Sequence, residues 1–470
     1  MTSRRRRVTR LVGLALPAVA TLIADPMMGL VDTAVVGRIG AAELGGLGLA
    51  VAVLSTVAWV FNFLVYGTTS AVARARGAGD EDGAFRRVRT SVRAALILGC
   101  LVGALLWFAA PRLLTGLGAV EALVGPGADY LRVRAIGVPL LLLTFVGHGA
   151  FRGASDTRTP LGVAVGANVI NAVLTVTLAG PFGIAGVAAA TVAAEGVAVI
   201  ALLVLLPRAG IPRRGLLVAR SADGAVVVGR EMAELRALLR SGRDLFLRTG
   251  ALTWGLLAIS AAAARISVDT AAAHQLLFQV MLFGAFLLDG LAVAGQATVG
   301  TALGRGDHAD ARAFATTTAW LGAGAGAVVA LLLSSTAGVV PRLLTTSPQV
   351  LAEVASVWWL LAIGHAVTGV VFALDGVMMG AEDYRYLRDT TLVAAVAGGG
   401  AAQWVAAVDG TLLGLWWCVQ LLMLIRFVAL VLRLRGTRWL SAGAPTDGPS
   451  SARSSVADPR GRRRLDTSEW

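Results

Sequence analysis

The sequence predicts an all-α polytopic membrane protein of about twelve transmembrane helices, arranged as two parallel repeats of six. Three observations carry that prediction. The 470 residues are 56% hydrophobic and only 15% charged, with a mean hydropathy of +0.75, more apolar surface than a water-soluble fold can hide. Apolar stretches of roughly 20 residues recur along the chain, each long enough to cross a hydrocarbon layer ~30 Å thick. The chain also repeats itself. Arg38-Ile39 returns at Arg265-Ile266, Gly77 to Asp80 at Gly304 to Asp307, and Gly153 to Asp156 at Gly380 to Asp383, all at a spacing of 227. A further echo, PRLLT, begins at Pro111 and again at Pro341, three residues out of register. A shared offset at separated places is the mark of a duplicated half.

The elements follow in order. A basic N-terminus, 1–10, carries Arg4 to Arg7 and precedes a first span at 11–36. Ala18-Val19-Ala20 imitates a signal-peptidase site, but the apolar run continues to Val36 and is too long for a signal sequence. Further spans are expected at 44–73, 92–110, 130–151, 159–180 and 184–206, completing an N-lobe at 11–206. A cytoplasmic linker, 207–243, holds Pro207, Pro212, several arginines and a short helix candidate, GREMAELRALLR. The C-lobe, 244–435, is expected to span at 244–264, 271–303, 314–340, 350–379, 387–408 and 411–434. Residues 436–470, rich in Pro, Gly, Ser and Arg, read as a disordered cytoplasmic tail.

Arginine placement tests this layout independently of hydropathy. The N-terminus, 74–93, the linker and the tail are Arg-rich, whereas the intervening loops carry few. This alternation puts both termini in the cytoplasm. Because each half holds an even number of spans, the two halves enter the membrane in the same direction and are related by an axis along its normal.

Several function classes are disfavoured. The formal net charge is +13, but the basic residues are all arginines in loops and at chain ends, a topology signal rather than a nucleic-acid surface. With no lysine in the chain a P-loop is excluded, so ATP does not drive it by that route. Gly322, Gly324 and Gly326 lie inside a span and serve packing. Cys100 and Cys418 lie in apolar stretches and suggest neither a disulfide nor a zinc site. Nothing has nucleophile-elbow spacing, so no enzyme is expected. Trp358, Trp359, Trp404, Trp416 and Trp417 fall near span ends and read mostly as interface anchors, with one or two lining the cavity as the alternative.

Chemistry is expected where ionisable groups fall inside spans, because each costs about 2.5–3.5 kcal/mol at mid-helix. Those groups are Asp25, Asp32, His148, Glu195, Asp289 and Asp375, a set that is mainly acidic. Asp25 and Asp32 are two helical turns apart and face one way along the first span. Pro26 removes a backbone donor between them and Gly29 weakens the next turn, marking a hinge. Paired carboxylates on one apolar face suit the capture of a proton. Asp25 could equally satisfy backbone donors freed at a kink, and Glu195 could simply bridge packed helices. His148 reads as an interhelical histidine or a proton carrier, and Asp289 as a cavity-lining or paired group. His274, His308 and His365 receive only a packing role.

GLVDTAVVGRIG with AAELGGLGLA after it, FRGASDTRTPLG at 151–162 and LDGVMMGAEDYRYLRD at 374–389 resemble motifs of the multidrug and toxic compound extrusion (MATE) transporters, DinF-like branch. The resemblance covers about residues 10–435. It implies that Asp32 takes a proton, coupled to bending of the first helix, and that Asn171 is the polar residue of the fifth. One turn on, where the pattern has an Asp, this chain has Thr175. His148 stands where relatives often have Asn, and Asp375 matches an acid of the NorM-like branch whose seventh-helix Glu has no counterpart in 244–264. Sodium coupling through the C-lobe is thereby disfavoured. Asp25, Glu195 or His148 could replace the missing fifth-helix acid.

The expectation is a monomeric secondary exporter in a bacterial plasma membrane. It needs no cofactor, couples to H+ with Na+ as the alternative ion, and moves small amphiphilic, often cationic, molecules across the bilayer by alternating access. A lipid-linked precursor or metabolite flippase of the same superfamily is the competing reading. Subtracting 227 sets Asp375 opposite His148 and Asp289 opposite Asn62, so Asn62 joins the cavity candidates, while Asp32, Asp25 and Glu195 fall opposite Ile259, Leu252 and Leu422. The acids break the repeat's symmetry and point to the N-lobe as the proton-coupled half.

Overall fold

The computed structural model describes residues 3–117, 120–212, 215–216, 224–408 and 410–443, and these are helices and short connections. The N-terminal half contains α1 (Ser3–Val36), α2 (Ala41–Phe61), α3 (Phe63–Gly77), α4 (Glu81–Gly116), α5 (Glu121–Gly153) and α6 (Arg158–Leu205). The C-terminal half contains α7 (Gly224–Ile266), α8 (Val268–Gly304), α9 (His308–Ser335), a short α10 (Val340–Leu344), α11 (Pro348–Gly380), α12 (Tyr384–Ala407) and α13 (Leu412–Arg435). α2 and α3 form one span interrupted at Asn62, whose N–H reaches back to the carbonyl of Trp59. α6 is two spans joined end to end, because Gly183 adopts φ 57° and ψ −141° and turns the chain. Counting its two legs separately gives twelve crossings, and the protein is a multi-pass membrane protein.

The repeat is legible in the backbone. Gly79 and Gly306 are both left-handed, at φ 72° and 74°. Ser155 and Glu382 share an uncommon left-handed conformation at φ 61° and 59°. Asp80 and Asp307 each begin the next helix, their carboxylates accepting from Gly83 N at 2.7 Å and Asp310 N at 2.9 Å. The halves meet through the same equivalence. The backbone at Gly77 lies so close to the Thr301 carbonyl, and Gly304 to that of Arg74, that neither site has room for a Cβ. Adding 227 to one contact generates the other, as a two-fold axis along the membrane normal requires. The PRLLT echo diverges in structure: Pro111 lies inside α4, whereas Pro341 belongs to the separate α10.

Each lobe is built around its long central helix, α5 or α11, with small residues setting the approach. Gly149 and Gly153 rest on Val65 and Thr69, and their repeat mates Gly376 and Gly380 rest on Ala292 and Gln296. α1 spans the two lobes. Leu11, Leu14 and Ala15 pack into the C-lobe core beside Leu291 and Val371, whereas Val36 belongs to the N-lobe core. Side-chain hydrogen bonds that cross between lobes among the described residues gather at the ends of α3, α8 and α11. Ser70 donates to Met379 O at 2.8 Å, Gln296 to Tyr66 O at 2.8 Å, and Arg74 to Ala381 O at 2.6 Å. The lobes are therefore joined on the side of the Arg-rich loop and the N-terminus.

Three sequence expectations need correction. The linker helix candidate is not separate, since α7 runs unbroken from Gly224 through the seventh span, which makes 224–243 the foot of that helix. The tail begins ordered, with a 3-10 turn at Arg438–Ser441 and Trp439 fully buried; residues 444–470 lie outside the described residues. Trp358 and Trp416 are not interface anchors but core residues of the C-lobe, at 3% and 0% exposure. α1 is helical through 25–29, the segment where the hinge at Pro26 and Gly29 is expected. The side chains of Asp25 and Pro26 lie outside the described residues.

Candidate functional site

Asp32, on α1, is 4% exposed and held by three hydroxyls. Its Oδ2 accepts from Thr191 Oγ1 at 2.9 Å and Tyr130 Oη at 3.3 Å, and its Oδ1 from Thr175 Oγ1 at 3.2 Å. Asn171 Nδ2 donates to Thr191 Oγ1 at 3.0 Å, and the threonine's one proton is shared between Asp32 at 2.9 Å and the Val187 carbonyl at 3.3 Å. Asn171 Oδ1 is buried without a partner among the described residues. The site thus draws on α1, α5 and both legs of α6, whose turn at Gly183 folds Thr191 back beside Thr175. A threonine at 175 donates to Asp32 where a second carboxylate would have to be protonated or repel it.

One helical turn along α5 and α6 lies a second polar layer. Arg134 and Glu195 form a bidentate pair, Nη1 to Oε2 at 2.9 Å and Nη2 to Oε1 at 2.8 Å. Each is four residues beyond a ligand of Asp32, so the pair stacks on the aspartate's shell. Glu195, expected as a proton-coupling acid or as a bridge between packed helices, is paired with a guanidinium.

The C-lobe acid sits in a different setting. Asp375 on α11 is 4% exposed, and a single oxygen, Oδ2, receives both Arg248 Nη2 at 2.5 Å and Arg426 Nη2. Arg426 is itself 1% exposed, and Asp375 Oδ1 has no partner among the described residues. Asp375, expected as a cavity residue, is paired with two cations. Asp289, on α8, is half-buried in the field of Arg248 and Arg152. Tyr66 shares that region, its hydroxyl facing Asn62. His148 is buried on α5 one turn before Arg152. The cavity candidates Asn62, His148, Asp289 and Asp375 therefore border the two lobes' facing helices, apart from the Asp32 cluster that gathers Asn171 and Thr175.

A MatE family profile matches residues 17–177 and 246–398. The chain belongs to the MatE family. It is 33% identical to Protein DETOXIFICATION 44, chloroplastic, of Arabidopsis thaliana, covering 91% of this chain and 82% of that protein. DNA damage-inducible protein F of Escherichia coli strain K12 is 30% identical over 81% of this chain and 82% of its own length. The crystal structure of the Vibrio cholerae MATE transporter VcmN in the bent form superposes with a TM-score of 0.82 at 17% identity, covering 94% of this chain and all of that one (100%). The fold of this MATE chain is accordingly that of the transporters in its family.

The expectation of mainly acidic intramembrane charge does not survive. Arg134, Arg248 and Arg426 lie within the predicted spans and are buried, and each closes on a carboxylate. They were passed over because arginines were read as marks of loop topology. Arg426, alone in LLMLIRFVAL, carried the clearest signal, since an arginine amid such a run has to be paired. Tyr130 and Thr191 gave none, because their importance lies in which oxygen they face.

Chemically the two acids can do different things. Hydroxyls around Asp32 can rotate and either donate to a carboxylate or accept from a carboxylic acid, so a proton can come and go with the shell intact. Protonating Asp375 would leave two buried guanidiniums short of their counter-charge, a costly arrangement.

Proposed function

We propose that this MATE protein is a secondary exporter of amphiphilic, often cationic, organic compounds. In this reading it is driven by proton antiport and works by alternating access in a bacterial cytoplasmic membrane with both termini inside. The observation that carries the reading is Asp32: a buried carboxylate whose direct hydrogen bonds come from Tyr130, Thr175 and Thr191 and not from a cation. Such a group can accept a proton without disrupting an ion pair.

Protonation would remove the charge that orients three donors from α5 and both legs of α6 toward α1. α1 could then move relative to the N-lobe while its Leu11 to Ala15 end stays packed in the C-lobe. The proton drives export only if it prefers the conformation that binds substrate poorly, since equal affinity for both conformations shifts nothing. The two arginines on Asp375 support H+ over Na+, because they already occupy the carboxylate that a C-lobe cation site would need.

The test is substrate-dependent proton flux in proteoliposomes, with and without sodium. Flux that needs no sodium and disappears in Asp32→Asn is expected. Transport sustained by a sodium gradient alone would overturn the assignment.

A further inference from the structure

We propose that the cleft between the two legs of α6 binds an anionic phospholipid, one acyl chain lying in the cleft and the phosphate held between Arg158 and Arg208. The cleft has a volume of about 470 Å³ and is lined by α6 and its immediate C-terminal extension alone, so it is separate from the space between the lobes. Its first wall is one helical face, Gly162, Val163, Gly166 and Ile170; its second is Val197, Ala201 and Leu205. Arg158 and Arg208 stand together at one end.

The sequence makes this groove in a specific way. Gly162 and Gly166 are one turn apart, both exposed, and a Cβ at either would meet nothing within 4 Å. The space above them is open, not filled by a packed neighbour. The flanking residues Val165, Val169, Ile200 and Val204 are 50%, 59%, 63% and 47% exposed, as side chains facing lipid are. An apolar slot on that surface suits a hydrocarbon chain.

The mouth supplies the complementary charge. Arg158 and Arg208 are exposed, and neither guanidinium is in an ion pair among the described residues. The nearby Asp156 carboxylate is otherwise engaged, accepting from Arg158 N and Thr159 N at 3.0 Å and from Thr159 Oγ1 at 2.6 Å. Arg208 follows the sixth span directly, so both arginines sit at a membrane surface, where a headgroup phosphate lies. A basic pair set above an apolar slot matches a phosphodiester on acyl chains, and a zwitterionic headgroup would set its own cation against the arginines.

Native mass spectrometry of the full chain, titrated with phosphatidylglycerol and phosphatidylcholine of identical acyl chains, tests this. Wild type is expected to retain phosphatidylglycerol about tenfold better. Arg158→Gln with Arg208→Gln is expected to erase the preference while leaving weak binding of both lipids. Gly166→Leu, which fills the slot, is expected to reduce retention of both. Equal retention by wild type, or a preference surviving in the double Gln variant, would overturn the proposal. So would undiminished lipid in a folded Gly166→Leu. Should Gly166→Leu not fold, the double Gln variant decides, since surface Arg→Gln changes leave the core untouched.

Discussion

Asp32 and Asp375 are equally buried aspartates in the two halves of one duplicated scaffold, and their neighbours are opposite in kind. Around Asp32 stand three hydroxyls; on Asp375 close two guanidiniums. The positions equivalent to Tyr130, Thr175 and Thr191 in the C-lobe are Val357, Ala402 and Cys418, while those equivalent to Arg248 and Arg426 in the N-lobe are Thr21 and Val199. Duplication preserved the helices, their caps and their left-handed turns, and left the polar interior free to diverge. A carboxylate among neutral donors can change charge, whereas one between cations is fixed.

The contrast is broken most decisively by removing each charge in turn. Asp32→Asn should lower pH-gradient-driven efflux by about 100-fold or more while the melting temperature in detergent stays near wild type, because an amide can still accept from the surrounding hydroxyls. Asp375→Asn should do the reverse to the fold. It leaves two buried cations without a counter-charge and should cost about 3–5 kcal/mol, read as a large fall in melting temperature. If Asp375→Asn were stable and Asp32→Asn unfolded, the roles assigned to the two lobes would be exchanged.

The Arg134 and Glu195 pair sharpens the comparison within the N-lobe itself. Glu195→Gln should destabilise by about 3 kcal/mol, since it strands Arg134, and the double change Arg134→Met with Glu195→Met should recover most of that loss. A structural pair predicts recovered stability in the double variant with pH-driven efflux retained. Efflux lost in a well-folded double variant would instead make Glu195 part of the proton path.

How much of this was legible in the sequence follows from what kind of interaction each feature depends on. The twelve crossings and the duplication were legible because hydropathy and fixed spacing are properties of the chain alone, and the three-residue turn between the spans expected at 159–180 and 184–206 proved to be the reversal at Gly183. Asp32 was legible because an acid in an apolar helix is costly wherever it points. The shell was not. Nothing in the letters marks Thr191 as facing Asp32, and Tyr130 follows a glycine-rich stretch that read as the edge of a helix. The buried arginines were visible as letters but assigned to loops, which concealed the ion pairs on Glu195 and Asp375. Linear order cannot reveal that Arg426 meets an aspartate 51 positions away.

The smallest effects test the shell itself. Thr191 Oγ1 donates to Asp32 at 2.9 Å while accepting from Asn171 Nδ2 at 3.0 Å, so Thr191→Val strands the Asn171 amide and leaves Asp32 Oδ2 only the Tyr130 hydroxyl. Tyr130→Phe removes only a 3.3 Å bond at the long end of the useful range. Thr191→Val is therefore expected to cost about 1–2 kcal/mol of stability and to slow efflux about fivefold. Tyr130→Phe should stay within about twofold. In an Asp32→Asn background neither change should lower transport further, because the hydroxyls act through the carboxylate. A Tyr130→Phe effect larger than that of Thr191→Val, or one persisting without Asp32, would mean that the phenol acts on the substrate directly. The N-lobe would then owe its distinct role to more than its uncompensated acid.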